Sequence, residues 1–331
     1  LKVIGRAGVG VDNIDVEVAS ENGIVVKFAP FGNTNATAEL AFAMLMSLAR
    51  KIPSANQSLK NRIWKKKAFS GIELSYKTLG IIGCGRIGQR LAKLALGFEM
   101  EVVGYDLYPN LESSIRYLSK EEVLKNADFI SVHAGGTDTI IGEKELSLIK
   151  PTAFLVNASR SENVDINALY KALKEKRIAG AALDVHSEEP KNEDAEFKSQ
   201  FLEFDNVVLT SHLGASTNEA QTKTSVEMAQ VIVDYLQKGD FTNTVNAKER
   251  VEFEEKPIYP LFIHHKDIPG AFAKIDQVLA DNGVNIRETN SRQIGKNGHV
   301  LTIFLTHQSA NEKLLSELKK LSIVSHVKTY E

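Results

Sequence analysis

Four short apolar runs in this sequence lead into residues that can bind anions or move protons. "FLVNAS" leads into Arg160, "AGAAL" into Asp184 with Glu188 and Glu189 soon after, "NVVLTS" into His212 and "FISV" into His133. Runs of this kind, without polar alternation, read as buried strands. In an open α/β sheet, ligands bind beyond the carboxyl ends of the strands. A planar guanidinium there can hold a carboxylate and polarise the oxygen beside it. A histidine can take a hydroxyl proton as hydride leaves the adjoining carbon, and a carboxylate next to the ring can orient it. This set of residue types suits the oxidation of a 2-hydroxy acid.

A second stretch, "LGIIGCGRIGQRLAKLALGFEMEVVGYD", names the other reactant. A strand pattern runs into Gly83, Gly85 and Gly88, an amphipathic helix pattern follows, and the next strand stops at Asp106, 18 residues after Gly88. Gly83 makes the turn, Gly85 lets backbone N–H groups approach a pyrophosphate, and Gly88 lets helix pack on strand. A carboxylate at Asp106 can accept from both ribose hydroxyls and repels a 2′-phosphate, so NAD is expected rather than NADP. Cys84, inside the turn and without a basic neighbour, reads as a small buried filler.

The elements that position these residues follow from the rest of the chain. Its 331 residues allow two or three domains. With 40 basic and 42 acidic side chains, the near-neutral balance argues against a nucleic-acid surface or a polybasic membrane anchor. One cysteine rules out an internal disulfide framework and suits a reducing, cytoplasmic setting. No apolar run approaches the ~20 residues of a membrane span, and no metal site is read. Strand patterns ("KTLGIIG", "EVVGYD", "FISVHA", "AFLVNAS", "IAGAALDV", "NVVLTSH") alternate with helical ones ("IGQRLAKLALGF", "SKEEVLKNA", "NVDINALYKALKEK"), which predicts a Rossmann-type, doubly wound parallel sheet over 54–216. Two long helices flank it: "TNATAELAFAMLMSLARKI", closed by Pro53, and "STNEAQTKTSVEMAQVIVDYLQKG", ending at Gly239. They cross to a second domain made of 1–53 and 217–247. Because "LKVIGRAGVGVDNID" reads as a strand already under way, an N-terminal part of that domain is expected to precede Leu1. The charged stretch 248–256 reads as a linker, and 257–331 has the order βαββαβ of a ferredoxin-like domain.

At this point the motifs carry a resemblance. "GRAGVGVDNID", "APFGNTNATAEL", "LGIIGCGRIG", "VNASR", "AALDVHSEEP" and "LTSHLGAST" resemble the D-isomer-specific 2-hydroxyacid dehydrogenases, over nearly the whole chain up to about residue 247. The resemblance implies a partial flavodoxin-like substrate domain, a catalytic set of Arg160, Glu189 and His212, and a homo-oligomer. It implies NAD contacts at Gly83, Gly85, Arg86, Ile87, Gly88, Asp106, His133, Ala134, Ala158, Ser159, Asp184 (near the carboxamide), Gly214 and Ala215. Substrate contacts carry over to Arg6, Gly8, Val9 and Asn33. Arg6 suits a phosphate, so a phosphorylated 2-hydroxy acid is expected; Lys65, Lys66 and Lys67 beside Trp64 could add charge across a dimer. Other D-2-hydroxy acids, or an NAD-sensing protein without turnover, remain as alternatives. Two departures stand out: Ser161 replaces the usual glycine after the arginine, and "SVHAGGTDT" replaces a histidine-x-proline pattern with glycines that loosen the loop over the cofactor. The C-terminal segment ("HKDIPGAFAKI", "GVNIRETN") resembles an ACT domain, a regulatory module that binds amino acids. Positions His265, Asp267 and Asn285 match those that hold L-serine in serine-inhibited members, with Asp267 in place of an asparagine.

Overall fold

The computed structural model describes residues 1–11, 13–190, 192, 194–238, 240–247, 259–294 and 298–329. They form two compact units, Leu1–Glu249 and Arg250–Glu331. The expected linker 248–256 lies outside the described residues.

The first unit opens with two parallel strands, β1 (Val3–Arg6) and β2 (Val25–Phe28), connected through α1 (Val16–Glu21). Asp15 starts α1 by accepting the Val18 N–H at 2.9 Å. Then come α2 (Thr34–Arg50) and α3 (Ile52–Lys60). Pro53 does not close the first helix, as its position led us to expect. The break is made by Lys51, which turns left-handed (φ 50°), and Pro53 sits in the first turn of α3, where a missing N–H costs nothing.

The sheet is built from β3 (Thr78–Ile82), β4 (Glu101–Tyr105), β5 (Arg116–Tyr117), β6 (Phe129–Val132), β7 (Phe154–Asn157), β8 (Gly180–Leu183) and β9 (Val207–Leu209). All pairs are parallel, in the order β5-β4-β3-β6-β7-β8-β9. The crossovers include α4 (Arg86–Gly97), α5 (Lys120–Asn126), α6 (Glu143–Leu148) and α7 (Ile166–Lys174). The chain runs outward from β3 to β5 and returns to β6 on the other side of β3. The topological switch point therefore lies between β3 and β6, beside the glycine turn. The expected parallel sheet is present; β5 and α6 were not legible, being two and six residues long.

Alternate strand residues feed opposite faces. Leu79, Ile81 and Val156 pack with Leu91 of α4 and with Phe42, Leu45 and Leu48 of α2. Ile82, Ile130, Val132 and Leu155 pack with Val123, Leu146 and Leu169 of α5, α6 and α7. Helix α8 (Asn218–Lys238) returns to the first two strands, so close that a side chain on Gly5 would meet Ile232 at 2.7 Å. The segment after α8 pairs antiparallel with β2, with Phe28 donating to the Asn243 carbonyl at 3.0 Å and Val245 to that of Val26 at 2.8 Å. Lys27, fully buried, donates to the Asp240 carbonyl and lies 5.2 Å from the centre of the Tyr235 ring; burial pushes its ammonium down, against the pull of Asp240 and Asp234. Among the described residues no helix is long and apolar enough to cross a membrane.

The second unit is β10 (Tyr259–Lys266), α9 (Ala271–Asp281), β11 (Ile286–Ile294), β12 (His299–Thr306), α10 (Glu312–Lys320) and β13 (Val324–Thr329). Its antiparallel sheet has the order β11-β12-β10-β13, which is the expected βαββαβ arrangement. Leu261, Ile263, Phe304 and Val327 pack against Ile275, Leu279, Leu314 and Leu318 of its two helices.

Two consequences for stability can be measured. Leu45 is 0% exposed between α2 and the sheet. Leu45→Ala should therefore cost about 2–5 kcal/mol in urea unfolding followed on the first unit. His133, at the end of β6, has Nε2 2.7 Å from Ser131 Oγ and a buried Nδ1 with no partner among the described residues. Burial pushes its imidazole down to about 4. The unfolded ring takes up a proton near its ordinary value of about 6.5, whereas the folded ring does not until far lower pH. Stability should therefore fall as pH drops from 6.5 toward 4. His133→Gln should remove up to about 3 kcal/mol of that dependence, read as the difference between the two unfolding curves across pH.

Candidate functional site

The glycine turn is closed to side chains on its inner side and open on its outer side. Gly83 takes φ 92°, and a β-carbon there would lie 2.5 Å from the Ala134 nitrogen. One on Gly88 would lie 2.3 Å from the Gly83 carbonyl oxygen, so the helix seats directly on the turn. A side chain on Gly85, the residue that caps α4, would meet nothing within 4 Å. This cleared surface at the start of a helix is what a pyrophosphate needs.

Asp106 braces that turn. Its Oδ2 accepts the Cys84 N–H at 2.7 Å and its Oδ1 accepts the Tyr108 N–H at 2.8 Å. Gln89 adds a bond from its side chain to the Cys84 carbonyl at 3.1 Å. Cys84 itself is buried, and burial together with Asp106 pushes its thiol up to about 12, so it is inert as a nucleophile. Arg86 is exposed, and its guanidinium stacks 3.9 Å from the centre of the Phe31 ring. Phe31 stands on the loop after β2, and Glu227 of α8 accepts the Phe31 and Gly32 N–H groups at 2.9–3.1 Å. Ile87 is half-buried behind Arg86 in the chain. Phe31 was not singled out from the sequence, where a lone aromatic in a loop carries no pattern.

The strands β7, β8 and β9 are neighbours, so Arg160, Glu189 and His212 follow three adjacent carboxyl ends. The histidine and glutamate meet: His212 Nδ1 lies 3.0 Å from both Glu189 oxygens, with the two side chains 50% and 40% exposed. A carboxylate only accepts, so Nδ1 carries a proton, and in the neutral ring Nε2 presents its lone pair. His212 has φ 55°, a conformation that costs a non-glycine residue about 1–3 kcal/mol. Asp184 holds it there. Its backbone carbonyl accepts the His212 N–H at 2.8 Å. Its side chain, 1% exposed, accepts from Thr210 Oγ1 at 2.7 Å, Leu213 N–H at 2.8 Å and Gly214 N–H at 3.0 Å. The residue expected near a carboxamide is thus engaged by its own chain as the anchor of the histidine loop. Thr37 of α2 ties the same loop down by donating to the Gly214 carbonyl at 3.1 Å, and Gln221 bonds the Ala215 carbonyl at 3.2 Å. Thr210 and Thr37 were missed by sequence reasoning, because a threonine in a strand or helix gives no sign of its partner.

Around Arg160, Asn157 donates to the Arg160 carbonyl at 2.9 Å and accepts from the Ser159 N–H at 3.1 Å. Ala158, 7% exposed, packs into the core on the α2 side of the sheet. The guanidinium donates to the Ser159 carbonyl at 2.9 Å. Ser161, one of the two departures, begins a short 3-10 turn outside the left-handed region, so its β-carbon strains nothing. At the ends of the first two strands, Arg6 folds over Gly8 and donates to the Ala7 carbonyl at 2.6 Å, and the Gly8 carbonyl accepts the Ala29 N–H at 3.0 Å. Val9 is 41% exposed, and the Asn33 oxygen is buried without a partner among the described residues.

In the second unit the three positions separate. His265 is 0% exposed, with Nε2 2.8 Å from Thr302 Oγ1, Nδ1 3.0 Å from the Lys266 carbonyl and its ring edge-on to Phe272. Alternation along β10 points it, with Leu261 and Ile263, into the helix-covered core. Asp267 and Asn285 are exposed.

Comparison with known proteins identifies the family. The model of the D-isomer specific 2-hydroxyacid dehydrogenase NAD binding domain matches residues 42–214, and that of the ACT domain matches residues 261–322. The D-3-phosphoglycerate dehydrogenase of Methanocaldococcus jannaschii is 45% identical over 254 residues, 74% of this chain and 48% of that protein. That of Escherichia coli K12 is 36% identical over 328 residues, 97% of this chain and 79% of that protein. The chain thus spans about half the length of the first of these curated relatives. Among solved structures, D-lactate dehydrogenase from Aquifex aeolicus complexed with NAD and lactic acid superposes with a TM-score of 0.66 at 31% identity, covering 75% of this chain and 81% of that one. An acyclic imino acid reductase in complex with NADPH and D-Arg does so at 0.66 and 34%, covering 74% and 78%. With a family model over half its length and a second over its C-terminal unit, the chain belongs to the D-isomer-specific 2-hydroxyacid dehydrogenases, with a C-terminal ACT domain.

Proposed function

We propose that this chain carries the catalytic part of a D-3-phosphoglycerate dehydrogenase, which oxidises D-3-phosphoglycerate to 3-phosphohydroxypyruvate with NAD. The observation that carries the reading is the Glu189–His212 pair, set beside Arg160 on adjacent strand ends of a sheet whose switch point bears an open glycine turn. The names of the relatives supply the substrate, and Arg6 supplies a cation for its phosphate. NAD, when bound, supplies the two-electron acceptor. Gly83, Gly85, Arg86, Ile87 and Gly88 would hold its pyrophosphate and Asp106 its ribose, with His133, Ala134, Ala158, Ser159, Gly214 and Ala215 around the remainder.

The protein's own residues do the rest. Arg160 holds the substrate carboxylate in its fork and polarises the oxygen on carbon-2. His212 takes the hydroxyl proton on Nε2, and Glu189 keeps the ring in the tautomer that leaves that nitrogen free. Gly8, Val9 and Asn33 close the substrate side. The domain limits that go with this reading are 1–53 with 217–247 for substrate and 54–216 for dinucleotide. Regulation by an amino acid such as L-serine would use Asp267 and Asn285, with His265 as a buried support. Exposed Leu59, Ile63 and Trp64, beside Lys65–Lys67, support assembly as a homo-oligomer. A second reading, reduction of another 2-keto acid, is favoured by the way Arg6 turns back onto Ala7, which leaves phosphate selectivity resting on a side chain that must swing outward.

The test is oxidation of NADH by 3-phosphohydroxypyruvate, followed spectrophotometrically beside pyruvate, glyoxylate and hydroxypyruvate. Preference for the phosphorylated acid is expected; preference for an unphosphorylated one moves the reading to the second. His212→Ala should lower kcat by about 10²–10⁴ while the Kd for NADH moves less than about twofold. Asp106→Ala should weaken NADH by about tenfold and narrow its advantage over NADPH, since it removes a ribose acceptor and the brace on Cys84 together. Fluorescence titration with both cofactors reads this, and an unchanged ratio would sink the ribose assignment.

A further inference from the structure

The loop from Gly135 to Asp138 has few means of holding its own shape. Gly136 takes φ 79°, and β-carbons on Gly135 and Gly136 would meet nothing within 4 Å. Such a segment loses more chain entropy on ordering than one with side chains to pack. It follows directly on His133 and Ala134, whose backbone abuts Gly83 of the dinucleotide turn. From the sequence, these glycines read as a loosened loop. The structure supplies a tie instead.

That tie is Asn163, 0% exposed and three residues beyond Arg160. Its Nδ2 donates to the Gly136 carbonyl at 3.1 Å and to the Asp138 carbonyl at 3.0 Å. Its Oδ1 accepts from Ser159 Oγ at 3.0 Å. Two carbonyls can only accept, so the orientation of this amide is unambiguous. Its backbone continues the join: the Asn163 carbonyl accepts the Ile140 and Ile141 N–H groups at 3.0 and 2.9 Å, and its own N–H donates to the Arg160 carbonyl at 3.2 Å. Four hydrogen bonds thus run from one residue to the 136–141 segment, and two more run to the turn that carries Arg160. An apolar residue of the same size could fill the space but could make none of the side-chain bonds.

We infer that Asn163 is a positioning residue that sets the aim of Arg160 by fastening its turn to the glycine loop. The inference rests on the proposed function only for its kinetic readout. Misplacing a binding group by about 1 Å can cost on the order of 10²-fold in rate. The informative variant is Asn163→Asp, which keeps the shape but turns both donors into acceptors facing two carbonyls. Asn163→Ser, which can restore at most one of the three side-chain bonds, gives the same comparison if the aspartate does not accumulate folded.

Kinetics and hydrogen exchange on the full chain decide it. In Asn163→Asp, kcat/KM for the 2-keto acid should fall about 10- to 100-fold, while NADH Kd stays within about threefold, because the glycine turn is braced separately by Asp106. The Ile140 and Ile141 amides should exchange at least about tenfold faster, while those of Leu155 and Val156 in β7 keep their protection. Unchanged kinetics and exchange would overturn the inference. So would equal loss of protection throughout the sheet with kcat/KM per folded molecule unchanged, which marks an ordinary core residue. If the native chain turns over no 2-keto acid at all, the proposed function fails, and the local exchange pattern still decides whether Asn163 makes the tie.

Discussion

The buried carboxylate of Asp184 is the interaction on which the rest of this structure depends. A carboxylate at 1% exposure is tolerable only when its lone pairs are taken, and here three donors take them. All three come from the chain around His212, so satisfying the charge also fixes the loop. The same bonds offset the left-handed backbone of His212 and leave its ring half in solvent against Glu189. The buried, fully bonded carboxylate sits below the sheet edge, and the half-exposed His212–Glu189 pair stands above it. Removing the carboxylate would leave two backbone N–H groups and a hydroxyl without acceptors, so site and fold would fail together.

Asp106 performs a parallel task at the end of β4, the neighbour of β3 on the side away from the switch point. Like Asp184, it closes a strand and accepts main-chain N–H groups, here from Cys84 and Tyr108. Each acid stiffens a loop at the carboxyl edge of the sheet. The strand ends can be held so firmly because both faces of the sheet are packed, one of them by a helix that precedes the sheet in the chain. Helix α2 covers the face shared with α4 and, through Thr37, reaches the histidine loop. The segment before the sheet is therefore part of the site's framework as well as of its neighbour.

The C-terminal unit shows the same division between buried order and exposed options. Its alternating strands send one set of side chains under two helices, and His265 goes with that set, bonded to Thr302. Asp267 and Asn285 are exposed at opposite ends of the sheet, one after the last residue of β10 and the other before the first of β11, since Lys266 and Ile294 both face His299 while Tyr259 and Ile286 both face Thr306. Both ring nitrogens of buried His265 find partners within the unit, at the Lys266 carbonyl and Thr302 Oγ1.

The sequence by itself determined the class of this protein. Unbroken apolar runs alternating with helical patterns, the spacing of Gly83, Gly85 and Gly88, and the acid at Asp106 were enough for the parallel sheet, the dinucleotide turn and the βαββαβ tail, because each of these is local in the chain. Strand ends also pointed to Arg160, His212 and an acid among Asp184, Glu188 and Glu189, since an open sheet gathers function at its carboxyl edge, and the family resemblance singled out Glu189. What only the tertiary structure decided is how those residues are held. That Asp184 anchors a loop, that Lys51 rather than Pro53 breaks a helix, that Asn163 fastens a glycine loop and that His265 points inward all depend on partners dozens of residues away or on a single backbone dihedral. Hydrogen-bond partners are chosen by packing in three dimensions, and a polar residue in a sequence shows what it can bond to but not which group will arrive.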